Sequence, residues 1–147
     1  MDDEAECIAY RIEDFGLSLS YPEHWQQRVE HGKTHLFWDE YTGSLRVTPT
    51  FPASEGFDVD AFLGRERERT DGATFRQIGN LRFLCYIEDS GDDDVTRNHH
   101  YVTGRGDVLV VCTWSYARSL LDEALSADEV EGEKENAEAV LASLAFG

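Results

Sequence analysis

The stretch DVLVVCTWSY, residues 107–116, limits the possible folds of this chain more than any other. In an extended chain Val108, Val110, Cys112 and Trp114 project to one side, and Leu109 and Val111 to the other. A strand that is apolar on both sides must be covered on both sides, so it should lie centrally in a sheet with further structure packed on each face. Two more long extended runs precede it, roughly 81–89 and 95–103, linked by the acidic turn SGDDD and the glycine turn TGRGD. Links this short favour an antiparallel meander.

The remaining pattern adds strands and two helices. In FGLSLSYPEHWQQ, residues 15–27, Leu17, Leu19 and Tyr21 alternate with Ser18 and Ser20, the period of a half-buried strand. Pro22 ends that strand, because proline cannot donate to a ladder and holds Tyr21 extended, so Trp25 is expected to open a new element beyond a corner. Strands are also expected at 34–39 and 44–51; in the second, Leu45, Val47 and Phe51 alternate with Arg46, Thr48 and Thr50. FDVDAFLGRERERTDG, residues 57–72, predicts a helix capped by Asp58 and closed by Gly72, with Arg65–Glu68 and Glu66–Arg69 paired on a solvated face. The last segment predicts a second helix, with Ser126 and Glu129 in capping-box spacing and Val130, Ala137, Val140, Leu141 and Leu144 in one apolar stripe. Gly132 weakens its first turns, and SLLDEAL before it could form a separate helical turn.

Composition narrows the class. The 147 residues suit one domain, 1–147, and 41% apolar content with eight Phe, six Tyr and three Trp supports a packed core. Thirteen basic against thirty acidic side chains give a net charge of −17, which would repel a nucleic-acid backbone or an anionic membrane and attract a basic protein. The opening MDDEAEC has neither a basic segment nor an apolar core, and no run is long enough for a membrane helix, so a cytoplasmic protein is expected. Cys7, Cys85 and Cys112 form no CxxC pair, and the last two sit in apolar strand patterns, as structural thiols do.

Candidate chemistry is thin. Adjacent His99 and His100 on a strand face opposite ways and cannot share a metal. His31 and His35 in HGKTH have metal spacing only on a helix, which Gly32 and the following LFW oppose. EDSGDDD, residues 88–94, has five carboxylates but not the ligand order of a calcium loop, so a solvated turn is expected. Arg105-Gly106-Asp107 reads as a hairpin connection. A Cys, His and Asp set drawn from Cys85 or Cys112 and His99 would need an accessible thiolate, which apolar strands disfavour. No nucleophile elbow, phosphate loop or HExxH pair occurs, so no enzyme, cofactor or metal is expected.

The YPEHW corner after FGLSLS, the strand–turn–strand LFWDEYTGSLRVTP and the order of elements across nearly the whole chain resemble the PsbP-like fold, shared by Mog, PsbP and DcrB-related proteins. The resemblance implies an α+β domain, a single twisted, mainly antiparallel sheet with helices packed on it, acting by surface recognition. The function expected is a non-catalytic bacterial protein-binding module for a basic partner, one specific form being an immunity or effector-chaperone protein. The charges expected to steer association are Asp92, Asp93, Asp94, Asp128, Glu131, Glu135 and Glu138. The alternative is a small-molecule or metal binder with a pocket lined by Trp25, Trp38, Trp114 and Tyr116.

Overall fold

The computed structural model describes residues 7–38, 43–51, 57–91, 95–106, 108–117 and 127–146. The strands are β1 (Cys7–Ile12), β2 (Leu17–Pro22), β3 (Gln26–Glu30), β4 (Thr34–Trp38), β5 (Ser44–Thr50), β6 (Thr74–Ile78), β7 (Leu81–Ser90), β8 (Thr96–Arg105), β9 (Val108–Ala117) and the short β10 (Ala145–Phe146). Helix α1 spans Val59–Arg69 and helix α2 spans Ala127–Ala142. The principal sheet has the order β3-β4-β5-β9-β8-β7-β6, and every pairing in it is antiparallel. The meander expected at 81–116 is therefore present, and β9 is its most interior member. The strand expected from the alternation of Leu17, Leu19 and Tyr21 does not join this sheet, so the sheet is not single; β2 pairs with β1 and β10 in a three-stranded sheet of its own.

Both faces of β9 are covered. Val110, Cys112, Trp114 and Tyr116 face a large core shared with Leu17 and Leu19 of β2, Phe37, Leu45 and Val47 of the principal sheet, and Val130, Ala137, Val140 and Leu141 of α2. Leu109, on the other face, joins Leu84, Val102, Val59 and Leu63 under α1. The small sheet and α2 form one layer and α1 the other. The stripe on α2 packs as its spacing requires: Ala137 and Leu141 are fully buried, and Val130 and Val140 nearly so.

Polar contacts lock the layers. The Tyr10 hydroxyl on β1 accepts from Gln27 Nε2 at 3.0 Å, which leaves its own proton for His35 Nδ1 at 2.6 Å, so β1 is tied to β3 and β4. At the end of α2 the Ser20 N–H donates to Ser143 Oγ at 2.8 Å. Pro49 is tolerated in β5 because the register with β4 reaches only Val47, so no ladder partner is lost on that side. Strand β5 is otherwise paired on both sides, with β4 and β9, and so is no edge.

Some local expectations hold and others need adjustment. Asp58 caps α1, accepting from the Asp60 N–H at 3.0 Å, and Glu66 pairs with Arg69 at 3.3 Å. The helix ends at Arg69 with Thr70 extended, so Gly72 does not close it; Gly72 (φ +76°) serves the turn into β6. Phe51 lies past β5, half exposed, and stacks on Phe15 at 4.6 Å. Helix α2 runs through Gly132 without a break. Ser126, the segment SLLDEAL and Asp92–Asp94 lie outside the described residues.

Two glycines make opposite use of having no Cβ. A Cβ on Gly104 would overlap the Val108 carbonyl oxygen and press on both methyls of Val59, so this position lets α1 sit down on β8. A Cβ on Gly132 would meet nothing within 4 Å. Gly132→Ala is expected to stabilise the protein by about 0.5–1 kcal/mol through helix propensity and a less flexible unfolded chain. Gly104→Ala is expected to destabilise it, and urea midpoints at constant slope would test both signs.

Candidate functional site

Beside α2, strands β6, β7 and β8 carry most of the polar chemistry in the described residues. The register places Thr74, Cys85, Tyr101 and Cys112 in one cross-strand row, and Ile87, His99 and Trp114 in the next. Where the rows run out from under α2 they leave a groove of about 370 Å³ lined by Arg76, Cys85, Ile87, His99, Tyr101 and Lys134, with Asp71, Gly72 and Thr74 beside them.

One side of the groove is held by a three-residue bridge. Arg76 makes a two-pronged contact with Glu138 of α2, both N–H···O distances being 3.0 Å, and the buried Tyr101 hydroxyl donates to the same carboxylate at 2.7 Å. Burial alone would raise the Glu138 pKa, but the Arg76 fork and the Tyr101 hydroxyl together bring it below the ordinary carboxylate value. Tyr101 is driven upward by burial and then by its bond to Glu138. Bidentate, charge-assisted bonds that are partly buried fix geometry more firmly than exposed ion pairs do.

The other groups are held in uncharged forms. Burial pushes the Cys85 thiol up to about 11, and Cys112, fully enclosed, is raised by burial as well. His99 packs against Trp114 and Tyr116, with ring centroids 5.5 and 6.0 Å away. Burial first, and then the Lys134 and Arg97 cations, lower its pKa to about 4. His100 points to the opposite face, stacked on Tyr86 at 4.6 Å, as neighbours on a strand must. A thiol kept protonated beside an imidazole kept neutral is the reverse of an activated nucleophile and base. Among the described residues no three His, Cys, Asp or Glu side chains converge as metal ligands.

The residues expected from sequence are distributed unevenly. Asp128, Glu131 and Glu135 are exposed on α2, Glu131 with Lys134 at 3.1 Å. Glu138 does not belong with them: Arg76 and Tyr101 fold it inward, leaving 16% of its side chain exposed. Asp92, Asp93 and Asp94 lie outside the described residues. Trp25, Trp114 and Tyr116 are core side chains, whereas Trp38 shares the opposite face of the sheet with Ser44 and Ser115. Only Trp38 and Tyr116 of the four line a common depression, also about 370 Å³. No sequence spacing joins Arg76, Lys134 and Tyr101; the strand register and the packing of α2 make them neighbours.

Residues 13–145 match the family described as a domain of unknown function (DUF3805), and the chain belongs to that family. No curated protein matches it. A crystal structure from Bacteroides thetaiotaomicron VPI-5482 is similar at 21% identity and a TM-score of 0.69 over 90% of this chain, which spans 45% of that protein. The solution structure of cyanobacterial PsbP (CyanoP) from Synechocystis sp. PCC 6803 is similar at 16% identity and a TM-score of 0.62, over 98% of this chain and 94% of that one. The fold is α+β and PsbP-like. No helix is long and apolar enough to cross a membrane among the described residues.

His99 sets a pH signature. An unfolded chain protonates His99 through about 6.5, whereas the folded protein resists until about 4, so stability present above pH 6.5 is lost as the pH falls toward 4. His99→Phe, which keeps the ring stack, is expected to flatten that loss in urea titrations run at successive pH values. The smaller slope from His35, also lowered by burial, should remain. An unaltered profile would contradict the assignment.

Proposed function

We propose that this chain is a non-catalytic recognition domain of the bacterial cytoplasm whose partner is a basic protein, bound on the side where α2 lies over β6, β7 and β8. The observation carrying this reading is the contrast across α2. Beneath it, Cys85, His99 and Tyr101 are held uncharged and Glu138 is saturated by Arg76 and Tyr101, which suits a rigid support. Above it, Asp128, Glu131 and Glu135 stand exposed on a chain of net charge −17. Exposed charges of one sign speed encounter with an opposite surface and fix its orientation more than they add affinity. An immunity protein or effector chaperone masking a basic toxin is a specific form of this reading.

A second reading has one observation in its favour: the groove volume of about 370 Å³ falls within the size of small-molecule sites. A specific ligand would raise the melting temperature with the logarithm of its concentration over its Kd, which a core residue set cannot do.

The test of the first reading uses the intact protein and a triple variant, Asp128→Asn, Glu131→Gln and Glu135→Gln, as paired baits in bacterial lysate. The expected outcome is a basic protein retained in stoichiometric amount by the wild type at low salt, released at high salt, and held about tenfold less by the variant. Equal retention by both baits at every salt concentration would contradict the reading.

A further inference from the structure

Lysine occurs twice in the chain, and one of the two, Lys134, lines the groove with only 23% of its side chain exposed. Its ammonium has three donors, and Glu131, itself 59% exposed, lies against it at 3.1 Å. The other cation of the lining, Arg76, is committed to Glu138 through both terminal nitrogens. Lys134 is therefore the cation able to turn toward a ligand, exchanging a water-screened carboxylate for one inside the groove. The charge balance at the groove wall has the same sign. Burial lowers the His99 pKa first, then the Lys134 and Arg97 cations do, each ahead of the opposing Glu131 and Glu138 carboxylates, so the cations prevail at this ring. That is a local reversal on a chain of net charge −17. Asp71, the acid in the lining, stands exposed in the turn before β6.

The uncharged groups complete the pattern. Ile87 is 58% exposed, the most exposed large apolar side chain among the described residues, and it lies opposite His99 in the β7–β8 register. His99, held neutral, offers one ring N–H. Cys85 lies opposite Tyr101, its thiol kept protonated by burial, so neither competes for the ammonium. We propose that the groove binds a small monocarboxylate with a short apolar body, the carboxylate meeting Lys134 and the His99 N–H and the body covering Ile87. The proposal rests on the small-molecule reading and supplies its ligand class; it is independent of the basic partner. A carboxylate in this partly covered setting gains a charge-assisted bond, and Ile87 loses contact with water. A neutral ligand of the same shape keeps only the second gain, and an inorganic anion only the first. A cationic ligand meets the Lys134 charge directly.

The test titrates the whole protein at neutral pH, followed by NMR, with three probes of one shape: phenylpropionate, phenylpropionamide and phenylpropylamine. Phenylpropionate should bind with a Kd on the order of 1 mM, as suits a ligand of its size. Its shifts should concentrate at Thr74, Cys85, Ile87, His99 and Lys134. It should bind about fivefold tighter than the amide at low salt, the worth of a partly exposed charged bond. Lys134→Met should abolish that preference while leaving the amide within about twofold, and Lys134→Arg should keep it. Ile87→Ser should weaken acid and amide alike, by about threefold to tenfold. Equal affinity of acid and amide, a preference that survives Lys134→Met, or shifts lying outside the groove would each overturn the proposal. If the amide or the amine binds in the groove and the acid does not, the small-molecule reading stands and the assignment of an anion falls. If no probe binds at several times the expected Kd, both fall.

Discussion

The architecture depends on burying one strand from both sides. Strand β9 offers Val110, Cys112 and Trp114 to one layer and Leu109 to the other, so neither layer alone would remove its apolar surface from water. Its two neighbours, β5 and β8, are fixed by ladders along most of its length. The layers follow from there. The larger core needs the combined area of α2 and the small sheet, and the smaller core needs only the 11 residues of α1. Ala73 packs with the α1 side chains, and β6 begins at Thr74, pairing with β7 from Leu81 to Cys85.

The groove beside α2 is built for rigidity. Arg76, Tyr101 and Glu138 come from two strands and a helix and saturate one another, which pins α2 to β6 and β8. Breaking such a bridge by removing one member would strand a buried hydroxyl or a cation, so it costs more than the bridge itself contributes. Cys85 and His99 lie in the same two rows and are kept uncharged by burial. Surfaces that recognise a partner benefit from this kind of fixed support, because little ordering remains to be done on binding.

Much of the fold was legible because its signals are local. The alternation in Leu17–Tyr21, the two-sided apolar run at 108–114, the Asp58 cap and the stripe on α2 each follow from the spacing of neighbouring residues. The elements that escaped carry weak patterns. Strand β3, QQRVE, has no apolar alternation, and its Val29 is 47% exposed. Strand β6 has five residues and one buried position. That β2 belongs to a separate sheet could not be read at all, since alternation says which side is buried and not which strand lies beside it. The site was less legible for the same reason. Asp128, Glu131 and Glu135 were visible as surface acids, but Glu138 has the same helical spacing and turns inward only because Arg76, 62 residues away, meets it. Aromatic content suggested a pocket, whereas Trp25 and Trp114 are spent in the core.

The fold is shared with proteins of low identity, so the particular features of this chain, an acidic helix face and a groove bordered by an exposed isoleucine, are where its own function is to be sought. Native-state hydrogen exchange on the isolated protein tests the account most directly. Amides of β9 should exchange only through global unfolding, while those of the two-residue β10 exchange through local opening. Exchange of β9 amides by local opening, faster than global unfolding allows, would contradict the account, because it would mean that the strand is not enclosed on both faces.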